Sequence, residues 1–193
     1  MRAFHLAGSM AVLAVCASGL HAQGLLYGQQ RAKHYANSLA PYVVSPQQIV
    51  DRMLELANLR AGETLYDLGS GDGRILITAV SRFKAKAVGV EISDELVKSS
   101  SDRIRRLGME NDARVLHEDM RNVDLSPADV VTMYLATDAN EELRPLLERY
   151  LRPGARVVTH DYAVPGWKAK VVDKDPDAHG HTIYLYEIAT KKK

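Results

Sequence analysis

The stretch LYDLGSGDGRIL at residues 65–76 places an acidic residue and three glycines between two apolar runs. Glycine loses more backbone entropy on folding than any other residue and adds no side chain to a core, so Gly69, Gly71 and Gly73 do not serve strand stability. They indicate a backbone that turns tightly where a ligand lies against it. The stretch therefore predicts a strand, a glycine-rich turn and a helix that begins near Arg74.

Outward from this turn, β-rich and helical patterns alternate along the chain. We predict strands at residues 64–68, 85–91, 113–117, 129–135, 156–160, 169–172 and 182–188, and helices at about 46–58, 74–83, 94–107 and 140–150. This alternation is typical of a parallel sheet with helices on both faces. The last two strands follow each other closely, which predicts an antiparallel C-terminal hairpin. The predicted fold class is therefore α/β, a doubly wound, mostly parallel seven-stranded Rossmann-like sheet.

The composition is that of one ordinary soluble domain. The chain has 193 residues, of which 46% are hydrophobic and 25% charged, so it is long enough to bury most of its apolar surface. Its 25 Lys+Arg residues nearly balance its 24 Asp+Glu residues, for a formal net charge of +1. This balance gives no global electrostatic reason to bind nucleic acid or an anionic membrane. We expect the protein to be a monomer and to have no nucleic-acid partner.

The N-terminal segment has a signal-peptide profile. Arg2 precedes a mostly apolar run at residues 6–20, and Ala22 is a small residue suited to cleavage. We therefore predict a signal peptide at residues 1–22, a linker or arm at 23–40 and one folded domain at 41–193. A cleaved leader predicts an exported protein, periplasmic or secreted, whereas an uncleaved one would be a membrane anchor. The only cysteine, Cys16, lies in this segment, so the mature chain would have no disulfide or thiolate metal site.

The glycine turn predicts the ligand's charged end. In a doubly wound sheet the ligand lies beyond the carboxyl ends of the strands, next to this turn. The backbone N–H groups around Ser70 and the start of the helix at Arg74 favour an anionic group. Asp67, just before the glycines, would repel a pyrophosphate but attract an ammonium, and G-x-G-x-G differs from the G-x-G-x-x-G of dinucleotide sites. The turn therefore suits a ligand with both an amine and a carboxylate.

Two further acids extend the predicted ligand site. Glu91 ends the second strand, where a carboxylate accepts hydrogen bonds from ribose hydroxyls. Asp119 follows the third strand, where it can accept from the exocyclic amine of adenine, with Met120 against the ring. Each acid alone is equally compatible with a solvated strand end or turn, and the glycines alone with a tight connection. Amino acid, ribose and adenine together describe S-adenosylmethionine.

These motifs resemble a known enzyme family. YDLGSGDGRILITAV, AVGVEIS, HEDM and the stretch from ADVVTMYLATDAN to VVTHDY are similar to the seven-strand S-adenosylmethionine-dependent methyltransferases. Within them, the chain most resembles the ATP synthase c-subunit lysine methyltransferases and their small bacterial relatives, over about residues 41–188. The resemblance implies N-methylation of a protein lysine, with a small-molecule acceptor as the alternative. It also implies that Tyr42, in the arm before the first helix, closes over the cofactor.

The sequence has no specific motif for binding the methyl acceptor. Methyl transfer from a sulfonium is an in-line displacement that needs positioning and neither a metal nor a covalent intermediate. Tyr134 and Asp138 lie at the end of the fourth strand, and His160 and Asp161 at the end of the fifth, so these four are the candidate catalytic residues. An HGH sequence ending at His181 is interpreted as an exposed turn, since no acid or cysteine pairs with it at ligand spacing. We therefore predict no metal site.

Two other function classes stay open at this point. An exported nucleoside- or S-adenosylmethionine-binding module without turnover would retain the same ligand site, and an NAD-dependent oxidoreductase would share the fold. The intact acids and glycines favour the methyltransferase over the oxidoreductase. A leader that exports the chain also conflicts with a cofactor made in the cytoplasm, because a charged cofactor crosses membranes poorly.

Overall fold

The computed structural model describes residue 39, residues 42–174 and residues 180–189. The predicted signal peptide at residues 1–22 and nearly all of the predicted arm at 23–40 lie outside the described residues. Within the described part, no helix has the length and apolar character needed to cross a membrane.

One seven-stranded sheet organises the described chain. Its strands are β1 (Thr64–Leu68), β2 (Lys86–Glu91), β3 (Ala113–His117), β4 (Val130–Met133), β5 (Arg156–His160), β6 (Val171–Lys174) and β7 (Thr182–Glu187), in the order β3-β2-β1-β4-β5-β7-β6. β1 to β5 pair in parallel, whereas β7 runs antiparallel to both β5 and β6. The predicted fold class and the predicted C-terminal hairpin are confirmed.

In the part of the chain that the structure describes, four helices and one short 3₁₀ turn cover the sheet. The helices are α1 (Gln47–Leu56), α2 (Arg74–Phe83), α3 (Asp94–Arg106) and α4 (Thr137–Tyr150), and the 3₁₀ turn is Met120–Asn122. α3 shows why the sequence folds this way. The Ser93 hydroxyl caps its first turn by accepting from the Leu96 amide, and acids in the first turn and arginines in the last suit the helix dipole.

Both faces of the central strands are buried. Leu65 belongs to one core cluster with α1 and α2, while Tyr66 and Leu68 belong to a second cluster that includes Leu143 and Leu147 of α4. Neighbouring residues of β1 therefore point to opposite sides, as the pleat requires. This explains why the central strands read as continuous apolar runs, and why polar residues in them stand out.

The predicted boundaries differ from the observed ones around β4. The predicted strand at 129–135 is observed only at Val130–Met133, and α4 begins at Thr137, three residues before the predicted start. Apolar content extended the predicted strand, but Tyr134 and Leu135 leave the sheet and line a cavity. β6 is likewise displaced by two residues from the predicted 169–172.

Candidate active site

A cavity lies at the carboxyl ends of β1, β2 and β4, next to the loop after β3. The predicted cofactor residues that line it are Tyr42, Asp67, Gly69, Ser70, Gly71, Glu91, Asp119 and Met120. Gly73 does not line the cavity and instead precedes α2. Among the predicted catalytic residues Tyr134 lines the cavity, and Asp138, His160 and Asp161 do not. The structure therefore brings together most of the predicted cofactor residues and one predicted catalytic residue.

The glycine turn is held by hydrogen bonds within the protein. Gly69, Gly71 and Gly73 have φ values of 79°, 53° and 74°, in the left-handed region that glycine adopts without strain. The amides of Gly69 and Ser70 both donate to the Val90 carbonyl, at 2.9 and 3.0 Å, and the Gly71 amide donates to Glu91. The expectation that these three amides are open to an anionic ligand group is therefore wrong, because they already donate to acceptors within the protein.

Tyr42 covers the turn from outside. A Cβ atom placed on Gly71 would lie 2.6 Å from Cε2 of the Tyr42 ring, so the ring sits directly on the glycine backbone. Residues 42–45 form a wall of the same cavity. Tyr42 thus lies at the cavity and on the glycine turn, and its closure over a bound cofactor stays a prediction.

Glu91 is the best-fixed acid of the cavity. Its Oε1 accepts from the amides of Ile92 and Ser93, both at 2.9 Å, and its Oε2 accepts from the Gly71 amide at 2.9 Å. The residue is only 6% exposed. Three backbone donors therefore hold one carboxylate in a fixed orientation, which is the arrangement that a rigid acceptor of ligand hydroxyls requires.

Asp67 is buried at the base of the cavity. Thr132 donates a hydrogen bond to its Oδ1 at 2.7 Å. Burial raises the pKa of Asp67 to about 7, and the nearby carboxylates of Asp72 and Glu91 add to the rise, while the Thr132 hydrogen bond opposes it. A cationic ligand group beside this carboxyl would favour its ionised form.

Two arginines at this edge are engaged with acids. Arg121 donates to both oxygens of Asp119, with Nε at 2.9 Å from each, and this hydrogen bonding lowers the pKa of Asp119 despite an opposing effect of burial. Arg74 forms an ion pair with Asp72 at 2.8 Å and donates from Nη1 to the Ser45 carbonyl at 2.7 Å. Arg74 also lines the cavity, and it is the one cationic side chain among the described residues that do so.

Behind Tyr134 lies a cluster of polar side chains from the ends of β5 and β7. The Tyr134 hydroxyl donates to Asp161 Oδ2 at 3.1 Å, and its ring centroid lies 3.8 Å from that of His160. His181 Nδ1 lies 2.9 Å from both Asp161 Oδ2 and His160 Nε2. The interpretation of His181 as an exposed turn residue without an acidic partner is therefore wrong. Asp138, by contrast, lies exposed in the first turn of α4.

The charge state of this cluster follows from burial and hydrogen bonding. Burial lowers the pKa of His160 to about 4, so its imidazole is neutral at pH 7. Burial acts against ionisation of Asp161, but hydrogen bonds from the Thr182 amide and His181 outweigh it and hold the pKa of Asp161 below its usual value. Because Oδ1 accepts from Thr182 and Oδ2 from Tyr134, Asp161 orients its neighbours and does not itself line the cavity.

Comparison with known proteins decides the family. Residues 67–171 match the ANTKMT methyltransferase domain, which covers more than half of the chain. A protein-lysine N-methyltransferase of Saccharolobus islandicus is 46% identical over 154 residues, covering 79% of this chain and 96% of that protein. The chain belongs to this methyltransferase family.

Two further comparisons agree on fold and family. The human lysine N-methyltransferase of the ATP synthase c-subunit is 32% identical to the methyltransferase over 150 residues, which span 78% of this chain and 62% of the human protein. A crystal structure of an RNA methyltransferase from Salinibacter ruber, in complex with S-adenosyl-L-homocysteine, has a TM-score of 0.74 and 38% identity, covering 78% of this chain and 97% of that one. The predicted family and enzyme class are confirmed.

The residues present in the methyltransferase fit S-adenosylmethionine. The cavity offers carboxylates at three successive strand ends, one guanidinium at Arg74, and the apolar side chains of Ile92, Met120 and Leu135. Any side chain at Gly71 would fill space that the Tyr42 ring closes. A cavity lined by both carboxylates and apolar side chains suits a ligand that carries an amine, hydroxyls and a purine.

Sequence reasoning missed the ion pair of Arg74 with Asp72, the clamp of Arg121 on Asp119, and the contact of His181 with Asp161. The first two were detectable as short-range acid–arginine spacings of two residues. The third joins residues 20 apart with β6 between them, and the sequence offers no periodic signal for such a contact.

Proposed function

We propose that this protein transfers the methyl group of S-adenosylmethionine to the side-chain amine of lysine in a protein acceptor. S-adenosylmethionine is the methyl donor predicted from the sequence. Crystal structures of similar methyltransferases contain S-adenosyl-L-homocysteine, the product that remains when this donor loses its methyl group. The observation that carries the proposal is the position of Tyr134. Its ring lines the donor cavity while its hydroxyl belongs to the polar cluster at the ends of β5 and β7.

Each of the cavity residues binds a different part of the cofactor. In our proposal Asp67 accepts from the amino group of the methionine part and Arg74 binds its carboxylate. Glu91, already fixed by three backbone amides, accepts from the ribose hydroxyls. Asp119 accepts from the exocyclic amine of adenine, and Met120 packs on the ring. Tyr42 closes the cavity over the glycine turn.

Bound S-adenosylmethionine supplies an electrophilic methyl group on a positively charged sulfur. The protein must hold a neutral amine in line with that methyl group, at about 3 Å. A lysine ammonium with a pKa of about 10.4 must first lose its proton, which costs roughly 4.6 kcal/mol at pH 7. Burial of the ammonium against an apolar wall lowers this cost.

Tyr134 is placed to orient the amine. Its hydroxyl proton is committed to Asp161, so its oxygen lone pairs can accept an N–H from the acceptor. Burial raises the pKa of the Tyr134 phenol, and the Asp161 carboxylate adds to the rise, so the phenol stays protonated at neutral pH. An acceptor nitrogen that donates to this oxygen turns its own lone pair elsewhere, towards the methyl group.

The chemistry of the entrance favours a lysine over a nucleic acid. Tyr162, 43% exposed, lies with its ring centroid 6.3 Å from that of Tyr134, and aromatic faces attract ammonium groups. The carboxylates of Asp138 and Asp161 flank this edge, and they would repel phosphates. The names of the Saccharolobus relative and of the human relative point to the same acceptor class.

A three-way acceptor assay tests the proposal. Purified protein is incubated with methyl-labelled S-adenosylmethionine and one of three acceptors: lysine-rich proteins, the same proteins with their lysines chemically acetylated, or total RNA. We expect label in the first acceptor alone, in mass increments of one methyl group on lysine. Label in RNA, or equal label in the blocked proteins, would contradict the proposed acceptor.

The role of Tyr134 is tested with a matched pair of variants. Tyr134→Phe keeps the ring and removes the hydroxyl, so we expect donor affinity to be retained and kcat/KM for the protein acceptor to fall about 10- to 100-fold. Tyr150→Phe, at the far end of α4, removes a hydroxyl outside the cavity and serves as the control. Full activity of Tyr134→Phe would refute this role.

A further inference from the structure

The polar cluster at the ends of β5 and β7 presents three metal-ligand atoms to one point. These atoms are His160 Nε2, His181 Nδ1 and Asp161 Oδ2, and they form a triangle. His181 Nδ1 lies 2.9 Å from each of the other two atoms, which are themselves 3.4 Å apart. Two imidazole nitrogens and one carboxylate form the donor set that Zn²⁺ and Fe²⁺ accept in proteins.

The dimensions of this triangle match metal coordination. A triangle with these edges has a circumradius of about 1.8 Å, so one point lies about 2.1 Å from all three atoms and about 1.1 Å out of their plane, at the usual metal–ligand distance. Seen from that point, the ligand angles are about 87° for the two shorter edges and about 108° for the longer one. The three atoms would therefore occupy one face of the coordination sphere and leave the opposite side open.

Two of the ligands are held by a second hydrogen bond away from that point. His160 Nδ1 lies 2.9 Å from the Ser45 hydroxyl, and Asp161 Oδ1 accepts from the Thr182 amide at 2.9 Å. Such outer partners fix the tautomer and orientation of metal ligands. Asp161 also has a φ of 60°, a left-handed conformation that is strained for a residue with a side chain and that aims its carboxylate at the two imidazoles.

The cluster is buried on one side and open on the other. His160 is fully buried, whereas the side chains of Asp161 and His181 are 24% and 25% exposed. An ion can therefore reach the triangle from solvent without unfolding the protein. Among the residues that the structure describes, this is the one group of three metal-ligating side chains that converge in this way.

We propose that His160, Asp161 and His181 form a binding site for a borderline divalent transition metal of the Zn²⁺ class. The metal cross-links the end of β5 to the start of β7 and fixes Asp161, which in turn holds the Tyr134 hydroxyl at the wall of the donor cavity. The site does not depend on the identity of the methyl acceptor. Without a metal, the same three atoms share protons as a hydrogen-bonded cluster, which is the alternative that the experiment must separate.

The experiment uses untagged full-length protein, stripped of metal with a chelator, at pH 7.5. Co²⁺ is titrated as a spectroscopic probe and its visible absorption is followed, and Zn²⁺ is then added in competition with a chromophoric chelator. We expect one equivalent to bind with a ligand-field spectrum of nitrogen and oxygen donors. His181→Ala should lower the affinity by at least 100-fold, whereas His117→Ala, which removes a half-exposed histidine on β3, should leave it unchanged.

Two further measurements keep the test decisive. Asp161→Asn preserves the size of the side chain and should also weaken binding, so the test holds even if His181→Ala fails to fold. Zn²⁺ should raise the melting temperature of the wild type and of His117→Ala but not of the two ligand variants. Folded wild-type protein that binds Co²⁺ no tighter than His181→Ala or Asp161→Asn would overturn the proposal and leave the proton-sharing cluster.

Discussion

Replacing Asp67 with asparagine should stabilise the protein, and the gain should grow with pH. Asp67 is 3% exposed, and burial together with Asp72 and Glu91 raises its pKa from 3.8 to about 7. Folding therefore favours the protonated carboxyl. The stability linked to this group is fully present below pH 3.8, declines as pH rises, and is lost above about pH 7, where the buried group must ionise.

The size of the effect follows from the pKa difference. One pKa unit corresponds to 1.36 kcal/mol, so between pH 5 and pH 8 the wild type should lose on the order of 3 kcal/mol through Asp67 alone. Other acids titrate over the same range in both proteins. The difference in unfolding free energy between Asp67→Asn and the wild type cancels their contributions, because asparagine is neutral at every pH and can still accept from Thr132.

Urea unfolding at four pH values between 5 and 8 measures this difference. We expect Asp67→Asn to gain stability over the wild type steadily up to about pH 7 and to level off above it. The variant should also bind S-adenosylmethionine more weakly, because it lacks the carboxylate for the ligand amine. A stability difference that is constant across the pH range would show that Asp67 is ionised throughout, and would refute the reasoning from burial.

Three further predictions concern the cavity and the chain terminus. Gly71→Ala should weaken S-adenosylmethionine binding in a calorimetric titration, because the new methyl group meets the Tyr42 ring. Gly108→Ala is the control, since Gly108 has a φ of 67° and open space around it. This control should lose about 1–2 kcal/mol of stability through backbone strain and leave the affinity unchanged. The rate of lysine methylation at saturating donor should rise with pH between 7 and 9 by up to tenfold per unit, as the acceptor amine loses its proton; a flat profile would mean that deprotonation is not limiting. N-terminal sequencing of the protein from an expressing bacterium should begin at Gln23 if residues 1–22 are a cleaved signal peptide, and an N-terminus at Met1 would favour the anchor instead.

The sequence predicts the features that depend on short, local patterns of residues. The three glycines next to Asp67 predicted the turn, and alternation of apolar runs predicted all seven strands within a few residues. Glu91 and Asp119 were identified because strand ends in a parallel sheet meet at one edge. These inferences needed only the chain's local pattern and the geometry common to all such sheets.

Other features depend on contacts between distant segments. Ser45 and His160 are 115 positions apart and meet only because α1 packs on the sheet near β5. That the amides of the glycine turn are already bonded to Val90 and Glu91 also follows from the close approach of β2, which no single-sequence pattern specifies. Export through residues 1–22 and the monomeric state stay predictions.

Residues 42–45 contact both the donor cavity and the polar cluster at the ends of β5 and β7. At one end the Tyr42 ring lies on the glycine turn, and at the other Ser45 bonds to His160 behind the acceptor entrance. Thermodynamic linkage requires any coupling of donor and acceptor binding through this segment to be reciprocal. Whatever factor acceptor binding adds to donor affinity by ordering this segment, donor binding must add to acceptor affinity in equal measure. An observed order of substrate addition would therefore reflect the rates of binding and would not measure the coupling free energy.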